Sequence, residues 1–261
     1  MCKGVKFYFI FYYINKMKYI SFGFRCSVAS ILKELNLKTE SYPFDWIISR
    51  LHVIKHCIES DFTEFLNIKN YEKKHTNTYC MKDYNKKFIC DEYINANMFY
   101  QPEHLQNEEN TYQYHLAMNH HNIFEEKDYS YYIRTIERLK TNLNDCSEEI
   151  KYIHFYPLIF ENNFNYEKTI KEIVDFDNFI FKKNKLTKGL FIILLQTVEE
   201  LKLKTSQLIS SSEYMILSDR TNNFPEIHII NTNSDFIDAG SIFMGNCEKE
   251  TEEIKKIVFN F

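Results

Sequence analysis

Four apolar runs in the second half of the chain constrain the fold more than any other feature: "IKYIHFYPLIF" (150–160), "GLFIILLQ" (189–196), "EYMILS" (213–218) and "EIHIIN" (226–231). Each reads as a strand, and a helical pattern lies between some of them. Strands separated by helices indicate an α/β organisation with a mixed or mostly parallel sheet flanked by helices. We expect a single compact domain over residues 17–261, with an irregular insertion at 67–106, where polarity rises and periodicity fades apart from a strand at "KFICDEY" (87–93).

The first unit of that domain is legible in detail. "KYISFG" (18–23) reads as a short buried strand and runs directly into a helix from about Arg25 to Asn36, whose stripe is Val28, Ile31, Leu32 and Leu35. Pro43 then forces an extended approach to "FDW", after which Ile47, Leu51, Ile54 and Ile58 recur at helical spacing. "TYQYHLAMNHH" (111–121) alternates like a half-exposed strand, and Asp128 reads as the cap of a helix bearing Tyr132, Ile136, Leu139 and Leu143.

Composition narrows the function classes. At 44% hydrophobic and 16% aromatic, 261 residues supply a sizeable core. Thirty-two basic against thirty-six acidic side chains leave a net charge of −4 and no basic block, so nucleic acid is not an expected partner. The seven cysteines are odd in number and contain no C-x-x-C pair, which argues against a disulfide framework and a cysteine-rich zinc site, and suits a reducing, cytoplasmic setting. "MCKGVKFYFIFYYINK" (1–16) lacks a small-residue cleavage pattern, and its apolar run is too short to span a bilayer. We read it as an optional extension before Met17, with an interfacial anchor as the lesser alternative.

The chemistry-bearing residues are few. Cys26 stands at the start of a predicted helix, where unpaired N–H groups favour a thiolate, although a buried cysteine without chemistry fits the same position. His120 and His121 are adjacent and, on a strand, face opposite sides; His121 shares parity with Gln113, His115 and Asn119 and so falls on the polar face. Asp45 in "YPFDW" (42–46) is either the group that orients an imidazole or a helix cap. Trp46, the one tryptophan, reads as part of an aromatic plug. Arg134 and Arg138 have the spacing of a carboxylate or phosphate clamp, and of a solvated helix face. His52 and His56 have a metal-ligand spacing but lack the glutamate of a metalloprotease helix, and we expect no metal. Nucleotide-binding and serine-hydrolase motifs are missing, and no cofactor is expected.

Taken together, "ISFGFRCSVASILKELNLKTESYPFDWI" resembles the opening of a family of unknown function described as papain-like cysteine peptidases, with its S-L-G-x-x-C and Y-P-F-D-W words in order. "NHHNIF" (119–124) is similar to the family's H-D-F segment, and "YIRTIERL" (132–139) to its arginine-bearing helix. The resemblance implies Cys26 as nucleophile and His121 as acid/base, and marks Asp45, Trp46, Arg134 and Arg138 as family positions. Phe22, Asn122 and Thr135 depart from the pattern, Asn122 standing where the family has an acid. The function implied is a cysteine-dependent hydrolase or acyl transferase, peptidase chemistry being its named form, acting on a peptide or acyl compound. The alternative is a binding or scaffold protein that recognises an anionic group through Arg134 and Arg138. His120 against His121, the third catalytic group and the oligomeric state stay open.

Overall fold

The computed structural model describes residues 17–23, 26–75, 78–81, 116–118, 120–160, 166–197, 206–208, 224–232 and 248–261. The extension at 1–16 and the expected strands at 87–93 and 213–218 lie outside them. Its elements, in chain order, are β1 (Lys18–Ser21), α1 (Cys26–Glu34), β2 (Ile47–Ser49), α2 (Leu51–Glu59), β3 (Tyr71–His75), β4 (Thr78–Met81), β5 (Leu116–Met118), α3 (Glu126–Asn144), β6 (Ile150–Phe160), α4 (Tyr166–Lys183), β7 (Thr187–Thr197), β8 (Ser206–Leu208), β9 (Glu226–Thr232) and α5 (Glu248–Asn260).

The fold is α/β. The main sheet has the order β1-β6-β7-β9-β8, with β1, β6, β7 and β9 parallel and β8 antiparallel at one edge. Parallel neighbours need a crossover, and α4 supplies it between β6 and β7. Strand alternation sends Ile153, Phe155, Leu190, Ile192 and Ile230 to one face, where α1 and α5 contribute Val28, Leu32, Ile254 and Val258. Ile20, Phe22, Tyr152, Phe191 and Ile193 go to the other, under α2, α3 and α4. Both faces are therefore covered by helices, as the apolar runs require.

A second, antiparallel sheet of order β2-β5-β4-β3 lies beside this layer in sequence and corrects the reading of residues 47–58. Ile47 opens a strand, and the helix starts only at Leu51. Ile47 joins the core beneath α2, whereas Ile48 joins the core beneath α1, so the local period is two. Of the expected irregular stretch, the described part is a 3-10 turn (Ile68–Asn70) followed by β3 and β4. Among the described residues no helix is long and apolar enough to cross a membrane.

Helix α1 ends where its sequence says it should. Asn36 adopts φ 55°, and Leu37 N–H and Asn36 N–H donate to Leu32 O and Lys33 O at 2.9 and 3.1 Å. That is a Schellman stop, with Leu37 packed in the same core as Leu32. It delivers the chain to Lys38 and the "YPFDW" segment.

Candidate active site

The site is built where β1 runs out. Phe22 N–H still donates to Ile153 O at 2.9 Å, and its ring packs edge-on to Tyr152 and Phe176 at 5.2 and 5.5 Å. Gly23 then turns with φ 79°, and a Cβ there would lie 2.6 Å from Ser49 Oγ and 2.8 Å from Phe44 O. Only glycine fits both the angle and the gap. Three residues on, Cys26 is the first residue of α1, half-buried, at the carboxyl end of a parallel strand, where open α/β sheets place their ligands.

"YPFDW" packs against this turn and is closed by its own aspartate. Asp45 accepts from Tyr42 N–H at 2.8 Å and from Lys38 Nζ, while Asp45 N–H donates back to Tyr42 O at 3.2 Å. Asp45 is fully buried, and its Oδ1 has no hydrogen-bond partner. Burial pushes its carboxyl up to about 6, against the opposing pull of Lys38, the Tyr42 N–H and Arg138. Arg138 holds the same segment from α3, donating to Ser41 O at 2.6 Å and lying 3.4 Å from Glu40. The next residue, Trp46, meets the His120 ring edge-on at 5.9 Å.

The two histidines stand beyond the end of β5, which stops at Met118, so strand parity does not govern them. His120 is exposed, and its pKa is lowered first by partial burial of the ring and then by the neighbouring His121. His121 is half-buried and has its own set of partners. Its Nδ1 lies 3.1 Å from Asp128 Oδ1, and its ring stacks on Tyr131 at 4.3 Å and 19°. Asp128 Oδ2 also accepts from Asn122 N–H at 2.8 Å. Burial raises the Asp128 pKa, but the Asn122 N–H, His121 and Lys127 together hold it below the ordinary carboxylate value. The carboxylate on the imidazole is therefore Asp128. Asp45, expected to orient it, bonds Lys38 and Tyr42 instead, because the tight 42–45 turn directs its side chain inward.

Asp128 is not the helix cap either. α3 begins two residues earlier, Glu125 occupies the cap position without a side-chain bond, and Asp128 in the first turn reaches back to the incoming loop. Asn122 closes that loop, its Oδ1 accepting from Phe124 N–H at 3.1 Å. An aspartate makes the same turn through the same oxygen, so asparagine at this family position keeps the local structure. Thr135, another departure, is buried and donates to Tyr132 O at 3.0 Å.

Arg134 is exposed, whereas Arg138 bonds Ser41 and lies beside Glu40, so the two arginines have different surroundings. His52 and His56 also diverge, the first 3.5 Å from Glu172 and the second 3.8 Å from Glu64. Among the described residues no group of three or more histidine, cysteine or acidic side chains could hold a metal ion.

A second polar cluster behind the turn escaped sequence reading. His154 on β6 is 2% exposed, and its Nδ1 lies 3.2 Å from Phe22 O, which also accepts from Ser49 Oγ at 3.4 Å. A carbonyl can only accept, so Nδ1 carries the proton. Burial pushes the His154 pKa down to about 4. Tyr156 donates to Glu172 Oε2, and buried Arg50 feels both groups. The signal was present as a histidine at an inward position of a buried strand.

The sequence model of a family described as "Putative papain-like cysteine peptidase (DUF1796)" matches residues 17–196. The chain belongs to this family. The match runs from β1 through all but the last residue of β7, and so includes both Cys26 and His121. Uncharacterized protein R408 of Acanthamoeba polyphaga mimivirus is 41% identical over 68 residues, a stretch that covers 23% of this chain and 30% of the viral protein's length. No solved structure matches the chain significantly. The parallel main sheet differs from the papain architecture, in which a helical lobe faces a mostly antiparallel sheet.

Proposed function

We propose that the chain is a cysteine-dependent hydrolase or acyl transferase, with peptide-bond chemistry as its simplest form, in which Cys26 is the nucleophile and His121 the acid/base. The observation that carries this reading is the Asp128–His121 contact. A carboxylate on Nδ1 selects the Nδ1–H tautomer and leaves the Nε2 lone pair to take a proton. The family description supports peptidase chemistry at the coarse level, and the start of α1 favours a thiolate at Cys26.

In the reaction, Nε2 takes the thiol proton and Sγ bonds to the substrate carbonyl carbon. Backbone N–H groups at the start of α1 face the developing oxyanion. Nε2 then returns the proton to the leaving amine as the scissile bond breaks. Water, or an acceptor amine or alcohol in a transferase, releases the acyl group from sulfur. Trp46 and His120 form a wall of the binding region, Arg138 fixes the loop that carries Trp46, and Arg134 reaches solvent. The substrate is a peptide or acyl compound, and a thiol nucleophile suits a reducing, cytoplasmic setting.

Alkylation by iodoacetamide at pH 7, read by peptide mass mapping, tests the assignment. We expect Cys26 to react faster than exposed Cys146, and His121→Ala to slow it by about tenfold or more. Alkylation of Cys26 only after denaturation, or at a rate that ignores His121, overturns the reading.

A further inference from the structure

Beyond Asp128, two tyrosine rings among the described residues contact the His121 imidazole, and nothing in the family description assigns either a role. Tyr131 lies one turn along α3 from Asp128 and stacks nearly parallel on the imidazole at 4.3 Å and 19°. Tyr132 meets the same ring edge-on at 5.8 Å, and His120 adjoins it in the chain. Asp128 fixes one edge of the imidazole and Tyr131 covers one face, so the two together define the ring's plane and tilt.

The Tyr131 hydroxyl is buried beside Ser41, and burial together with the Asp45 charge raises its pKa above the ordinary phenol value, against the opposing pull of the Ser41 side chain. Burying a hydroxyl carries a desolvation cost, which the packing of the ring helps to offset. The negative face of a phenol ring also attracts a cation, and His121 becomes one when it accepts a proton.

We infer that Tyr131 is a positioning residue for His121, its ring face setting the imidazole plane and stabilising the imidazolium. The inference deepens the proposed thiol chemistry, but the stack itself is independent of whether Cys26 reacts.

The test is a proton NMR titration of the His121 ring in the full chain, assigned with His121→Ala and run for the native protein, Tyr131→Phe and Tyr131→Leu. In the native protein, ring current from Tyr131 should move the His121 carbon-bound protons upfield. Tyr131→Leu should lower the His121 pKa by about half a unit, the size of an exposed cation–π contact, and shift the pH profile of Cys26 alkylation by the same amount. Tyr131→Phe should restore both to native values. Random-coil His121 shifts in the native protein, an unmoved pKa in Tyr131→Leu, or a Phe variant that behaves like Leu each overturns the inference, the first even where Tyr131→Leu fails to fold. Native Cys26 alkylation that ignores His121 sinks the thiol mechanism and leaves the titration result standing.

Discussion

Two clusters of the molecule share a histidine, a carboxylate and a tyrosine, yet their surroundings diverge. Around β6 the set is His154, Glu172 and Tyr156; before α3 it is His121, Asp128 and Tyr131. His154 is sealed in the core and bonded to a carbonyl, so its pKa falls to about 4 and it stays neutral as a structural donor. The His121 side chain keeps 23% of its exposure and has a carboxylate on Nδ1, the arrangement that the proposed proton transfer needs. Residue type is the same in both places; solvent and the partner on Nδ1 set the two apart.

The hardest blow falls on the His154 side: Gly23→Ala strikes the turn that follows Phe22, whose carbonyl His154 bonds. The positive φ and a Cβ 2.8 Å from the Phe44 backbone oxygen should together cost about 3 kcal/mol or more in urea unfolding. A loss below about 1 kcal/mol would mean the turn can relax.

The buried groups themselves give a sharper comparison, because two of them titrate in opposite senses. His154, lowered from 6.5 to about 4, contributes stability that is present above pH 6.5 and lost as pH falls through 4. Asp45, raised from 3.8 to about 6, contributes stability present below pH 3.8 and lost as pH rises through 6. Each contribution is about 3 kcal/mol, so in the native chain they largely offset each other between pH 4 and 6.5. His154→Gln keeps a donor for Phe22 O and should tilt stability toward acid pH by about that amount. Asp45→Asn keeps an acceptor for Tyr42 N–H and should tilt it the other way. Urea titrations across that window, with parallel slopes for both variants, would rule out the assignment of opposite signs.

The smallest expected difference separates the two arginines. Arg138→Ala releases Ser41 O and Glu40 and should cost about 1 kcal/mol, reduced from a buried charged bond because the side chain is 35% exposed. Arg134→Ala should stay within about 0.5 kcal/mol. Equal losses in thermal melts would indicate a joint role for the pair.

What could be read in advance divides along the range of the interactions. The β1–turn–α1 unit, the stripe of α3 and the strands β6, β7 and β9 rest on periodicity and turn chemistry, which are local and therefore visible. The strand at Ile47 was hidden because three residues of period two are indistinguishable from part of a helical stripe until β5 pairs with them. The parity argument for His121 extended a strand past its end at Met118. Its outcome, a polar half-exposed histidine, depends on α3 delivering Asp128 and Tyr131.

The amino-acid sequence by itself determined the α/β class, the family and the glycine turn that starts α1, because propensity, spacing and a fixed φ act between near neighbours. Only the tertiary structure decided that Asp128 rather than Asp45 meets His121, that Asp45 closes its own turn over Lys38, and that His154 is a neutral strut under Phe22. Each of these depends on burial and on residues brought together across the chain, and the electrostatics of a side chain follow from the surroundings that folding gives it.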